Sequence, residues 1–227
     1  MHIKRHFAPR SWKIERKGTK YVAKPSPGTH ELSMSMPLII IIRDILGYAN
    51  TKKEVKYILE KRNVTIDGIK RNDSRFPVGL FDVLSFNDTN EHFRIILDEK
   101  GKVSLIKIGE EESSIKLCKI TGKKIVKGKT QLNLNDGRNI FADGNFKTSD
   151  SVLLKLGQKA TIKESIGIDK GAVIYLTGGK HIGEIGIIQG INENRILYKT
   201  QNNEIAETLK KYAFAVGKTK PLITIAE

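Results

Sequence analysis

The chain has one cysteine among 227 residues, so neither a disulfide nor a cysteine-based zinc site can form within it. That thiol, Cys118, alternates with Lys119 in an apolar stretch and is read as core packing; such cysteine usage fits a reducing cytoplasm. Long apolar runs are also missing. The longest, residues 37–42, stops at Arg43 and Asp44, well short of the roughly 20 residues that cross a bilayer. Met1 is followed by Lys4, Arg5 and Pro9 rather than an apolar leader, so neither a membrane segment nor secretion is expected. Five histidines, His2, His6, His30, His92 and His181, form no pair at helical metal-ligand spacing near a suitable carboxylate. Gly-Lys-Thr occurs at 128–130 and 217–219, but Lys123 and Tyr212 stand where a phosphate-binding loop needs its first glycine. Asp44, Asp67, Asp82 and Asp136 fall at helix, turn or strand-edge positions, where a solvated or capping role is expected rather than that of a base. Neither catalysis nor metal, cofactor or small-molecule substrate is therefore expected.

Acidic residues are the other shortage. Forty Lys and Arg face 25 Asp and Glu, leaving +15 at pH 7 and a surface that a polyanion would neutralise. The first partner to consider is nucleic acid; the alternative is a basic surface kept for solubility. The excess is uneven, because residues 1–30 carry eight Lys and Arg against Glu15 alone. Pro9, Pro25, Pro27, Gly18 and Gly28 break any long helix there, and Phe7, Trp12 and Tyr21 are spaced among the cations. This pattern predicts a basic extension that becomes ordered on RNA, with cations on phosphates and Trp12 or Phe7 on unpaired bases. The expected contacts are Lys4, Arg5, His6, Arg10, Trp12, Lys13, Arg16, Lys17, Lys20 and Lys24. Removing residues 1–30 is expected to leave the rest of the fold intact. The competing reading is a solvated tail with one buried Trp12.

Past the extension, Leu38, Ile41, Ile42 and Ile45 follow helical spacing, with Pro37 suited to the first helical position and Ser35 to a nearby cap. Thr51 with Glu54 forms a capping box, and Val55, Ile58 and Leu59 make one apolar face that leaves Lys52, Lys53 and Lys56 in water. Residues 64–66 run into Asp67-Gly68, a hairpin-type turn, and residues 81–86 alternate as a strand. Residues 93–97, 103–108, 116–120, 131–134 and 151–156 read as short strands of a small barrel or sandwich. The run 135–139, with Arg138, offers short polar groups where a loop would meet RNA. In residues 172–191, glycines 178, 179, 183 and 186 punctuate alternating apolar residues, which indicates tight bends or close backbone approach. The ending at 207–223 reads as a segment that closes this last module.

The two helices, VTIDG at 64–68 and FPVGLFDVLSF at 76–86 resemble the small RNA-binding domain shared by bacterial ribosomal protein S-four, pseudouridine synthases and tyrosyl-tRNA synthetases. The resemblance implies RNA contacts at Arg43, Lys52, Lys53, Lys56, Arg62 and Arg71, although each lysine taken alone is as well read as part of a solvated helix face. The stretch at 172–191 resembles a KOW motif, with Gly183 at its characteristic glycine and Lys180 and His181 at the loop that family uses for RNA. KRHFAPRSW near the start, PSPGTH at 25–30, KGKTQLNLNDGRNI at 127–140 and LTGGKHIGEIG at 176–186, in this order, resemble the S-four-e family of small-subunit ribosomal proteins, archaeal type. The implied fold is α+β and mostly β. It would comprise a basic extension at 1–30, an S-four-type domain at 31–90, a central β-rich barrel-like domain at 91–168 and a KOW-containing, SH3-like barrel at 169–227. The implied function is that of a structural constituent binding small-subunit ribosomal RNA beside neighbouring small-subunit proteins, monomeric within a cytoplasmic ribosome. The alternative is a non-ribosomal factor accessory to RNA modification or transcription elongation.

Overall fold

The computed structural model describes residues 1–15, 17–157, 160–201 and 203–225. Strands dominate, giving an α+β, mostly β fold, and the chain divides into two compact units: Met1–Ile96 with Lys102–Ser114, and Leu97–Gly101 with Ile115–Glu227.

In the first unit the apolar residues at 38–42 all lie inside, and burying each is worth roughly 1.5–3 kcal/mol before entropy is charged. They begin one helical segment, Leu38–Ile40, which widens into a π-helical turn over Ile41–Ile45. Pro37 stands one position before this helix and Ser35 donates to the Glu31 carbonyl, so neither takes its expected place. Gly47, at φ +68°, ends the segment. Helix Lys52–Lys61 starts where the capping box predicts: the Thr51 hydroxyl accepts the Glu54 N–H at 3.3 Å, and the Glu54 carboxylate accepts the Asn50 N–H at 2.7 Å. Its Val55 and Leu59 are buried.

Beside these helices lies a five-stranded sheet in the order Ile69–Lys70, Val64–Ile66, Val83–Phe86, Glu91–Leu97, Val103–Ile108. Asp67 and Gly68 both take positive φ, which a tight two-residue hairpin turn requires. The boundary expected at residue 90 is corrected here. Residues 87–90 are a hairpin turn, too short for a linker, and the strands on either side pair from Val83↔Arg94 to Phe86↔Glu91. Wholly buried Arg94 explains why these strands stay in the first unit: its guanidinium donates to the Glu112 carboxylate at 2.6 Å and to the Glu112 carbonyl at 3.1 Å.

The basic extension also belongs to this unit. His2–Lys4 pairs antiparallel with Tyr21–Ala23. Trp12 is 3% exposed and its indole N–H donates to the Ser35 carbonyl at 2.7 Å, while Val103 donates to the Ser11 carbonyl. Residues 1–30 are therefore part of the packing rather than a detachable tail, because one large ring supplies the apolar burial that the cations around it cannot. His30 adds a second anchor, with Nε2 2.9 Å from both carboxylate oxygens of Asp82, which also accepts the Gly79 N–H. Of the solvated or capping role expected for it, Asp82 therefore takes the second, buried and holding the Gly79 N–H.

The second unit holds two five-stranded sheets. One runs Asn139–Phe141, Lys129–Leu134, Ile115–Val126, Ser151–Lys155, Thr161–Ile166, around a core of Cys118, Ile120, Leu132, Leu134, Val152 and Leu154. The other runs Ile205–Leu209, Arg195–Thr200, Ile185–Asn192, Val173–Leu176, Ala213–Gly217. Its two edge strands are joined by the 3-10 turn Lys210–Tyr212. A three-residue turn spans about 6 Å, so the sheet must curl until its edges nearly meet, which makes it a small barrel. Lys119 fastens the first sheet to that turn: its ammonium donates to the carbonyls of Lys210, Lys211 and Ala213. Gly183, at φ +85°, lies so close to the Asp98 carbonyl that no side chain would fit.

Candidate nucleic-acid interface

Exposure decides which of the predicted cations can meet a phosphate. In the extension Lys4, His6, Arg10, Lys13, Lys17 and Lys20 are exposed, Arg5 and Lys24 are half-buried, and Arg16 lies outside the described residues. The two-stranded ribbon gathers these cations on one segment together with Phe7, 70% exposed, whose ring lies 4.2 Å from that of His6. Tyr21, also exposed, carries Lys20 over its ring at 5.6 Å. Trp12 is a correction: its faces are covered by protein, and of the three aromatics of the extension Phe7 and Tyr21 are the exposed ones.

On helix Lys52–Lys61, Lys52, Lys53 and Lys56 share the exposed side, with Lys56 3.4 Å from Glu60. The other three cations implied by the same resemblance are differently placed. The Arg43 guanidinium is held bidentate by Asp44 at 2.7 and 2.8 Å. Arg71 is half-buried, 4.5 Å above the Phe76 ring. Arg62 is exposed but lines a groove of about 440 Å³ with Glu54, Asp88 and Glu91, carboxylates that oppose a phosphate there.

In the second unit, Arg138 is engaged with Asp136 at 3.2 Å. Asp136 also accepts the Lys116 ammonium at 3.1 Å, and both partners of that pair are 1% exposed. Burial pushes the Asp136 carboxyl up, but Lys116, the Arg138 N–H and the Arg138 charge outweigh it and hold it below the usual carboxylate range. Of the solvated or capping role expected for it, Asp136 takes the capping one through the Arg138 N–H, and it also neutralises a lysine that the strand Ile115–Val126 carries inward. Lys180 is exposed in the turn after Val173–Leu176, next to Gly179 at φ +93°. His181 beside it is half-buried, with Nδ1 3.0 Å from the Glu184 carboxylate. These two line a cavity of about 200 Å³ with Gly178, Tyr198 and Tyr212.

Sequence reasoning passed over Lys123, Lys124, Lys127 and Lys129, which are all exposed at the end of the hairpin formed by Ile115–Val126 and Lys129–Leu134. Their signal was available, since residues 113–135 hold six lysines and no carboxylate. Among the described residues no cluster of three or more His, Cys, Asp or Glu is placed to hold a metal ion, and no helix is long and apolar enough to cross a membrane.

Comparison with known proteins places the chain in a family. Residues 89–161 match the family model described as Ribosomal family S4e, and residues 1–33 match that of the RS4NT (NUC023) domain. The small ribosomal subunit protein eS4 of Methanosphaera stadtmanae is 44% identical, over 99% of this chain and 95% of that protein. That of Methanococcus aeolicus is 41% identical, over 99% and 97%. The crystal structure of the 30S ribosomal protein S4e from Thermoplasma acidophilum is similar at a TM-score of 0.70 and 30% identity, covering 82% of this chain and 96% of that one. With relatives this similar along nearly its whole length, the chain belongs to the ribosomal S4e family.

Proposed function

We propose that the chain is a structural constituent of the small ribosomal subunit, binding and stabilising small-subunit ribosomal RNA during assembly and translation. The observation that carries this reading is the similarity, over 99% of the chain, to proteins named small ribosomal subunit protein eS4. The +15 charge supports it, because phosphate contacts release condensed counterions and so supply affinity without reading sequence. In this reading the ribbon cations Lys4, Arg10, Lys13, Lys17 and Lys20, with Lys52, Lys53 and Lys56, track phosphates, while Phe7 and Tyr21 meet unpaired bases. Lys180 and His181 offer a second contact through the barrel's glycine-rich turn, in the manner of a KOW loop. Arg43, Arg71 and Arg138 set the shape of the surface through Asp44, Phe76 and Asp136. The partners are small-subunit RNA and neighbouring small-subunit proteins, with one copy per cytoplasmic ribosome and no catalytic step. A free-standing modification or elongation factor is the weaker reading, since no observation favours it.

Sedimentation of the native protein from source-cell lysate after a high-salt wash tests this. Retention with the small subunit is the expected result; release to the top of the gradient would overturn it in favour of a transient factor.

A further inference from the structure

We propose that the outward face of the sheet containing Asn139–Phe141, Lys129–Leu134 and Ile115–Val126 is a binding platform for unpaired RNA nucleotides, with Phe141 as its stacking surface. The inference rests on the RNA-binding reading above and adds a site to it. Register defines the face. Lys124, Gln131 and Phe141 stand directly opposite one another across the three strands, and Gly122, Asn133 and Asn139 form the next such row but one. Between them, the row Lys123, Leu132 and Ile140 turns toward the core, where Leu132 is buried and Ile140 packs. Side chains alternate along each strand, so the first two rows face away from that core.

What the two rows offer is specific in chemistry. Phe141 is 57% exposed, on a face where its row partners are an amide and an ammonium rather than apolar groups. The Gln131 amide donates to the Asn133 side-chain oxygen at 3.2 Å, which sets two amides side by side, and the missing side chain of Gly122 leaves the Asn133 amide unobstructed. Asn139 adds a third amide at the edge. Amides can pair with the edges of bases, an exposed ring can stack on their faces, and both require bases that are not already paired. Lys124 and Lys129 flank the amides, and the hairpin end adds Lys127. Two of the three strands lie in residues 113–135, which hold no carboxylate to repel a phosphate backbone; Asp143, exposed two residues past Phe141, is the acid next to the third. The hairpin end itself buries nothing, and Ile125 there is 74% exposed, so its residues are not explained by the core.

The test uses the full chain with two probes, a short oligouridylate and an RNA duplex of equal length, each titrated at several salt concentrations. Phe141→Ala is expected to weaken oligouridylate binding about tenfold, within the range for one base stacked on one ring, and to leave duplex binding and thermal unfolding unchanged. Phe141→Tyr is expected to restore affinity, and Gln131→Ala to weaken it. Light-induced cross-linking to the oligouridylate is expected at the peptide containing Phe141. Salt-dependent RNA binding that is indifferent to Phe141 would overturn the platform while leaving the RNA-binding reading intact. Failure of the wild type to bind either RNA would sink both. Polyglutamate binding as tight as oligouridylate, and equally sensitive to Phe141, would also overturn the platform, by showing a surface for acidic chains in general.

Discussion

Replacing Trp12 by alanine removes the ring that holds the basic ribbon against the first unit. A buried aromatic of roughly 150–250 Å², at about 25 cal/mol per Å², contributes about 4–6 kcal/mol, an upper bound because the unfolded chain is already partly compact. Measured tryptophan-to-alanine losses in cores run at roughly 3–5 kcal/mol. The Ser35 carbonyl, left without the indole N–H at 2.7 Å, adds roughly 1 kcal/mol. At about 4 °C per kcal/mol for a unit of roughly this size, calorimetry should show the midpoint of the first unit falling by about 16–24 °C. The wild type offers an independent check, because Trp12 is the sole tryptophan in the sequence and all indole emission comes from it. That emission should be blue-shifted, poorly quenched by acrylamide and unchanged when RNA is added. A water-like emission quenched on RNA binding, with no loss of stability in Trp12→Ala, would refute the buried placement and restore the ring as a base-stacking group.

Asp136→Ala should destabilise the second unit by about 3–5 kcal/mol in urea unfolding, because it removes the carboxylate 3.1 Å from the buried Lys116 ammonium. The double change Lys116→Met with Asp136→Leu should cost less. Burial, and then the charge of Lys210, lowers Lys119 from the usual 10.5 to about 8, so the folded unit releases this proton before the unfolded chain does. Stability from this group is therefore complete above about pH 10.5 and lost as pH falls through about 8; a Lys119→Met variant, itself weaker by about 1–3 kcal/mol for its unpaired carbonyls, should lack that alkaline rise, and parallel curves would exclude the effect. If about six cations meet phosphates, log affinity for RNA should fall with log salt at a slope of roughly 4–5. Changing Lys52, Lys53 and Lys56 together to alanine should reduce that slope by roughly 2–3, and an unaltered slope would remove the helix from the interface.

Local chemistry was legible in the sequence wherever one short segment decides the outcome. Thr51 with Glu54 marked the start of Lys52–Lys61, and Asp67-Gly68 marked the turn after Val64–Ile66. The apolar run at 38–45 announced a helix but not its widening into a π turn, which depends on how Ile41–Ile45 packs. The boundary at residue 90 failed because a polar hairpin turn and a linker have the same composition, and what tells them apart is the pairing of Val83–Phe86 with Glu91–Leu97. The pairing of Trp12, Asp82 and Asp136 in the interior was hidden for a related reason. Each is defined by a partner far away in sequence, namely Ser35, His30 and Lys116, and a polar or amphipathic side chain is committed to such a partner only by the completed fold. Arg43 differs in that its partner is the next residue: the cation was readable as an RNA contact, and the Asp44 carboxylate holds its Nε and one terminal nitrogen.

The strand Ile115–Val126 has a mechanical side. From Ile115 to Lys119 it is clamped by Ser151–Lys155, and beyond Gly122 the strand it pairs with is Lys129–Leu134, with a register slip between Ile120 and Gly122. A beam fixed at one end and free at the other bends where it is thinnest, and here that point is the slip. Motion at the hairpin end should therefore swing about residues 120–122, with amide exchange slow at the root and quickening outward. A force applied at the end would be delivered as torque to Cys118 and Lys116, in the buried root of that strand.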